Sequence, residues 1–407
     1  MKKNVSILSI GDELLNGFTI DTNSSWLAKE ISKYDFLDVK NNLTVKDNYK
    51  EIYSSLDYLL SKNNRFIFIT GGLGPTHDDI TKNALMNYFD SELICDLKHM
   101  KSLEKRYPII SKELIKNQSQ ILSISNIIPN SKGTAIGMAL KHNDTDLFIL
   151  PGVPAEMKNM YHEHVSKKFI EPFFKKKIKY ITILTAGIYE TKLYEILREL
   201  IYENKENYRV SFLPSYSGVR IRLMSNNNTP LDGFKNLIIK KIDDYIFGFD
   251  DDTLEQVISK DLISNGKKIA IAESCTGGYI SKKITDIPNS SNYFIGSVVV
   301  YSNSVKEEIL KVNAKTLVEK GAVSSEVALQ MALGVMKKFK SNIGIATTGI
   351  SGPSGGSKEK PVGLIYIAIV SKNRQVVKKF NLIPDREKHR RIATQVCLNM
   401  LRLFLKK

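Results

Sequence analysis

The chain has 407 residues, 42% hydrophobic and 25% charged, ordinary for a globular protein and long enough for two to four domains. Three widely spaced cysteines, Cys95, Cys275 and Cys397, give no disulfide framework or zinc pattern and fit a reducing cytoplasm. The formal net charge of +16 invites a nucleic-acid partner, but the lysines are scattered without regular aromatic neighbours and read as a solvated surface. The densest group, Lys175, Lys176, Lys177 and Lys179, falls at an expected domain junction.

The opening MKKNVSILSIGDELL has a short, broken apolar run and reads as a first strand, not a signal peptide. No apolar run is long enough to span a membrane. Asp21-Thr22-Asn23 caps a helix expected to run to about Tyr34. RFIFIT, residues 65–70, is a buried parallel strand feeding GGLGP, and DLFIL, residues 146–150, repeats the pattern before PGVP. Residues 178–247 change character: a strand, a helix, two strands and a helix make a small α+β unit. FGFDDDTLEQ then reads as a linker with a helix cap at Asp252 or Thr253. Beyond it the alternation resumes in KKIAIAES, GSVVVYS, the Ser-capped helix SSEVALQMALGVMKKF, SNIGIATTG and VGLIYIAIV, and closes with a long amphipathic helix. Strands alternating with helices predict an α/β fold, with two α/β domains of mainly parallel sheet joined by the α+β unit.

Several stretches carry chemistry. In GGLGPTHDDIT, Gly71, Gly72 and Gly74 let backbone amides approach an anion. Asp78 and Asp79 are expected in the first turn of the next helix, where they either hold a hard cation or only complement the dipole. Neither a Walker A loop nor a G-x-G-x-x-G fingerprint is present. In GDELLNG, Glu13 follows a strand and joins the same carboxyl edge. AESCTGG places Ser274, Cys275, Thr276, Gly277 and Gly278 at a strand-to-helix turn. His389 is the one histidine in the C-terminal portion, so Cys275 reads as a buried structural thiol, and the turn as a phosphate cradle. TGISGPSGGSKEKPVG, with Thr348, Gly349, Gly352, Gly355 and Gly356 before Lys358 and Lys360, suits a phosphate or carboxylate, or is a long surface turn. SSNYFIGSVVVYSNSVK has serines, tyrosines and Lys306 but no histidine or carboxylate. It is either a polar strand edge or a serine nucleophile served by a desolvated lysine.

These motifs, in this order along the whole chain, resemble the CinA family, competence/damage-inducible protein A. The resemblance implies a molybdopterin-binding-like domain at 1–172, a KH-type domain at 173–248 and a nicotinamide-nucleotide amidase domain at 252–407. It implies deamidation of nicotinamide mononucleotide, with Ser291 as nucleophile, Lys306 as base, Tyr301 alongside and Arg386 assisting. For the first half it implies either hydrolysis of ADP-ribose with a divalent metal (magnesium, manganese or cobalt) held near Glu13, Asp78 and Asp79, or pterin binding without catalysis. The amidase domain needs no cofactor on this reading. The chain departs from the family pattern at Asn289, Ser354 and Ile136. No GXXG loop occurs in 178–247, so RNA binding is not expected there, and such folds favour homodimers.

Overall fold

The computed structural model describes residues 3–34, 36–175, 180–226 and 229–406. Lys176, Lys177 and Lys179 of the dense lysine group lie outside the described residues. The chain forms two compact units, Met1–Lys179 and Tyr180–Lys407.

The first unit has strands β1 (Lys3–Ile10), β2 (Leu37–Val45), β3 (Asn64–Thr70), β4 (Leu93–Cys95), β5 (Gln120–Leu122), β6 (Asn126–Ile128), β7 (Gly137–His142) and β8 (Thr145–Leu150). Six of them make one sheet in the order β2-β1-β3-β8-β7-β6; β4 and β5 form a separate pair. The pairings from β2 to β8 are parallel, and β7 and β6 are added antiparallel. The central strands are apolar on both faces, which demands helices on both. Val5, Ile7 and Phe68 pack with Leu27, Ile31 and Met157, while Leu8, Ile67 and Ile69 pack with Ile52, Leu56 and Leu85. Asp21 caps the helix Thr22–Ile31, accepting from Ser24 N.

The second unit opens with β9 (Tyr180–Thr185), β10 (Tyr208–Ser215), β11 (Gly218–Ser225) and β12 (Ile246–Phe249), an antiparallel sheet in the order β10-β11-β9-β12. Helices Glu190–Glu203 and Leu231–Ile242 cover it through Leu193, Leu197, Phe234 and Ile238. The element order is β-α-β-β-α-β, a split β-α-β unit rather than the expected KH-type module. The difference is Ile246–Phe249: the sequence reads as a linker there, but the backbone pairs with β9.

The remaining strands are β13 (Ile269–Glu273), β14 (Phe294–Val299), β15 (Ile343–Gly349), β16 (Leu364–Ser371) and β17 (Gln375–Asn381), in the order β14-β13-β15-β16-β17. β14, β13 and β15 run parallel; β16 and β17 return antiparallel. β17 is absent from the sequence reading because its lysines, Lys378 and Lys379, break the apolar pattern at an exposed edge. Thr253 begins the helix Leu254–Ser264 with a full capping box, and Ser324 caps Ser325–Phe339.

The split β-α-β module is tied to this sheet by one cation. Arg402 is 1% exposed; its guanidinium donates to the carbonyls of Ile246 and Asp244 at 2.8 and 3.1 Å and to Asn399 Oδ1 at 3.0 Å. Arg402→Ala leaves the Ile246 carbonyl and Asn399 Oδ1 short of a donor, and denaturant titration is expected to show a loss of about 3 kcal/mol in the second unit.

Candidate functional site

In the second unit, the parallel strands deliver their carboxyl ends to one edge, where the chemistry-bearing segments meet. β13 ends at Glu273, which is wholly buried and accepts from Gly278 N (2.9 Å), Ile280 N (3.2 Å), Ser281 N (2.9 Å) and Ser281 Oγ (2.6 Å). This turns the chain directly into helix Tyr279–Thr285 and leaves residues 274–278 as a tight turn. Gly277 has φ +57°, and a Cβ there would meet Arg390 at 3.0 Å. Thr276 Oγ1 bonds Thr347 Oγ1 at 2.8 Å, and Ser274 N donates to the Thr347 carbonyl at 3.1 Å. No hydrogen bond to a described residue engages the Ser274 hydroxyl, and Ser274 is 8% exposed.

Beside it, β14 runs into Tyr301, and Ser302 caps helix Asn303–Leu310. Lys306 lies on that helix, 1% exposed, with Nζ donating to the Tyr301 carbonyl at 2.8 Å. Burial pushes its amine below the ordinary lysine range, opposed only by the Cys275 thiol; Glu307 and Glu308 do not counter the shift. Arg386 plays no part in that shift. It binds the other end of Tyr301, Nη2 on the phenol oxygen at 3.3 Å, with Nη1 on the Gly352 carbonyl at 3.1 Å. Lys306, Tyr301, Arg386 and Gly352 are thus brought together next to Ser274–Gly278.

Ser291 is not. It sits in the 3-10 turn Ser290–Asn292, exposed, before the first residue of β14, whereas Lys306 follows the last. The six residues of β14 alone separate these ends by about 17 Å. The strand is parallel to β13, so within one chain Ser291 lies at the amino edge of the sheet, away from Lys306. Asn289 does adopt the left-handed conformation that its turn requires, φ 64°.

Cys275 is buried, and burial pushes its thiol up to about 12, ahead of a smaller effect from Glu273. In the glycine-rich loop, Thr348 donates to the Ala322 carbonyl and Lys360 to the Lys320 carbonyl, so both serve the scaffold. Gly349 closes β15; Gly352, Gly355 and Gly356 follow in the loop at the same edge.

Two side chains on the last helix escaped sequence reasoning. Arg390 donates through Nε and Nη2 to the Thr276 carbonyl at 3.2 and 3.1 Å, holding the 274–278 turn. His389, wholly buried, meets Ser351 Oγ through Nδ1 at 2.9 Å. The signal was present in the spacing, since Arg386, His389 and Arg390 stand at i, i+3 and i+4 on one helical face.

The first unit carries a separate cavity of about 410 Å³ lined by Glu13, Asp47, Gly71, Gly72, Gly74, Asp78 and Asp79. Gly71 has φ +109° and approaches Ile10 so closely that a Cβ would fall 2.0 Å from its carbonyl. Asp78 and Asp79 do not lie in a first helical turn; the helix begins at Thr81. Asp79 closes the loop on itself, accepting from Gly74 N at 2.8 Å and Thr76 N at 2.9 Å, while Asp78 is exposed. Asp47, which sequence reading missed, follows β2 as Glu13 follows β1. Its carboxyl is raised by burial and, less strongly, by Asp12, Glu13 and Asp79. Among the described residues no group of three or more His, Cys, Asp or Glu is arranged to hold a metal ion, and Glu13, Asp78 and Asp79 make no ligand set. Likewise no helix among them is long and apolar enough to cross a membrane.

The thiol environments give a direct check. Cys275 and Cys397 are buried and Cys95 is half-buried. A thiol reagent at pH 8 is expected to modify Cys95 in the native protein and to reach Cys275 only after denaturation, as mass spectrometry of the peptides would show.

Comparison with known proteins agrees with this layout. Residues 6–175 match the family described as a probable molybdopterin binding domain, and residues 251–405 match the CinA C-terminal domain. The chain is 39% identical over 410 residues to the CinA-like protein of Fusobacterium nucleatum, with 98% of each covered. It is 37% identical to the CinA-like protein of Thermosipho melanesiensis, with each covered in full. The competence/damage inducible protein CihA of Agrobacterium tumefaciens is 37% identical across 38% of this chain and 94% of that one, with a TM-score of 0.37. The chain therefore belongs to the CinA family, with a molybdopterin-binding-like first unit and a CinA C-terminal domain in its second.

Proposed function

We propose that the second unit is an amidohydrolase that converts nicotinamide mononucleotide and water to nicotinate mononucleotide and ammonia, a step of pyridine-nucleotide salvage. The observation that carries the reading is Lys306: an amine wholly withdrawn from water, with its Nζ on a single carbonyl. Such an amine is poised to be neutral, and a neutral amine is a base. The nucleotide substrate rests on the motifs shared with the CinA family.

Ser274, rather than Ser291, supplies the nucleophile. At this edge four other hydroxyls are engaged: Thr276 with Thr347, Thr348 with Ala322, Ser302 in its cap and Ser351 with His389. Ser274 Oγ attacks the carboxamide carbon while Lys306 Nζ takes its proton. The C–N bond then breaks and Lys306 returns that proton to the leaving nitrogen, releasing ammonia. Water, deprotonated by the same amine, cleaves the acyl-serine to the carboxylate. Tyr301, fixed at both ends by Lys306 and Arg386, presents the cation and phenol to the substrate. The first unit's cavity is proposed as a binding site for a ligand of the ADP-ribose or pterin kind; its carboxylates supply no metal ligand set, so metal-dependent hydrolysis is not assigned to it.

The test is ammonia release from nicotinamide mononucleotide. Ser274→Ala and Lys306→Met are each expected to lower kcat by roughly 10³-fold or more, with Ser291→Ala and Cys275→Ser unaffected. A dead Ser291→Ala beside an active Ser274→Ala would overturn the assignment. The rate of the native protein should rise with pH as Lys306 loses its proton, with the limb below the ordinary lysine range. The unfolded chain holds that proton more tightly, so the cost of burying Lys306 is full at pH below its lowered value and is relieved as pH rises. Lys306→Met removes the cost and should melt no lower than the parent at neutral pH.

A further inference from the structure

One buried titratable group is unused by the mechanism above. His389 is wholly buried, three residues beyond Arg386 on the same helix. Its Nδ1 lies 2.9 Å from Ser351 Oγ, and Ser351 is 5% exposed. Its Nε2 is buried, and the ring's other polar neighbour is the Gly363 backbone. Burial lowers its imidazole below the ordinary histidine value, so the ring is neutral at neutral pH.

A histidine used only to fill space is poorly suited to this position. An aliphatic side chain would fill it without the cost of burying a polar ring. What the imidazole supplies is one directed bond to the loop, and the next residue of that loop is Gly352, whose carbonyl receives Arg386 Nη1 at 3.1 Å. The loop base is pinned independently, by Ile350 N to the Leu364 carbonyl and Gly363 N to the Ile350 carbonyl, both 2.8 Å. Beyond Ile350, Ser351 is the residue whose side chain ties the loop back to the helix.

We infer that His389 is a positioning residue: through Ser351 it sets the Gly352 carbonyl on which Arg386 rests, and so fixes the guanidinium against Tyr301. The inference builds on the proposed amide hydrolysis. His389 touches no reacting atom. Its effect passes along one short path, from Nδ1 to Ser351, to the Gly352 carbonyl, to Arg386 and to the Tyr301 phenol. An arginine and phenol that meet the substrate as charge develops act on the transition state more than on ground-state binding, so the defect belongs in kcat.

The experiment compares the native protein with His389→Leu, Ser351→Ala and His389→Asn, whose amide can occupy the Nδ1 position. Two readouts are taken: kcat and KM for ammonia release from nicotinamide mononucleotide, and deuterium exchange of residues 350–356. His389→Leu and Ser351→Ala are expected to lower kcat about tenfold with KM nearly constant and to speed exchange in the loop. His389→Asn is expected to restore most of both. Unchanged kcat in Ser351→Ala and His389→Leu, or no rescue by His389→Asn, would overturn the inference. If His389→Leu fails to fold, Ser351→Ala and His389→Asn decide it alone. If the native protein releases no ammonia from this substrate, the proposed reaction falls. Exchange then judges the clamp by itself, and equal protection of the loop in all four proteins would remove it too.

Discussion

A carboxylate that has lost all contact with water must be surrounded by donors, and Glu273 is such a group. It accepts three backbone N–H bonds and one hydroxyl from the first turn of the following helix. The bonds are short and directional, so the chain has almost no freedom between the end of β13 and Tyr279. That constraint fixes the 274–278 turn, and with it the direction in which Ser274 leaves the sheet. Val300 N also donates to the Glu273 carbonyl at 2.8 Å, so the same residue sets where β14 hands over to Tyr301. Both sides of this sheet edge therefore take their register from one buried acid.

The last helix completes what Glu273 begins. Its first turns send Arg390 to the 274–278 turn, His389 to the glycine-rich loop and Arg386 to both Tyr301 and Gly352. Farther along, Arg402 reaches back to Ile246 and Asp244. One helix thus holds the loops of the carboxyl edge and the neighbouring split β-α-β module. Lys306 differs from all of these. Its stem is buried like a core residue, but its single partner is a neutral carbonyl, so nothing compensates a positive charge. The supports of the site are cationic, and burial holds the Lys306 amine among them below the ordinary lysine range.

The sequence made the α/β alternation legible because the central strands are apolar on both faces, and it located Lys306, Tyr301 and Arg386 through their motifs. It did not show that Ser291 and Lys306 of one chain fall at opposite edges of a sheet, for a geometric reason. Fifteen residues separate Ser291 from Lys306, a distance that looks local in a string. A strand occupies the interval, and a strand carries its two ends as far apart as six residues allow. A helix or hairpin between them would have left the pairing possible; periodicity cannot say which loop meets which across a sheet. His389 and Arg390 were hidden for the opposite reason: their partners, Ser351 and Thr276, are remote in sequence and meet them only in the folded unit. β12 was hidden because four residues with two phenylalanines and a glycine, beside an acidic run, carry too little pattern to distinguish strand from linker.

The first unit shows how a motif can be right in position and different in use. Gly71, Gly72 and Gly74 do follow a buried strand and do line the cavity, as a phosphate-binding loop would. Yet the Gly74 amide is already donated to Asp79, and the Gly71 amide to the Leu150 carbonyl. The tight approach of Gly71 to Ile10 shows what the first glycine is for: it lets two strand ends cross without a side chain between them. Asp79, paired with Gly74 and Thr76, is electrostatically settled, whereas Asp47 holds a buried oxygen with no partner among the described residues and is raised by burial and by its acidic neighbours. An anion entering this cavity would have to displace Asp79 from the loop and approach Asp47 as well. Positive charge or hydrogen-bond donors arriving at Asp47 would meet no such cost, so the cavity's electrostatics favour the donor-rich part of a ligand over its bare phosphate.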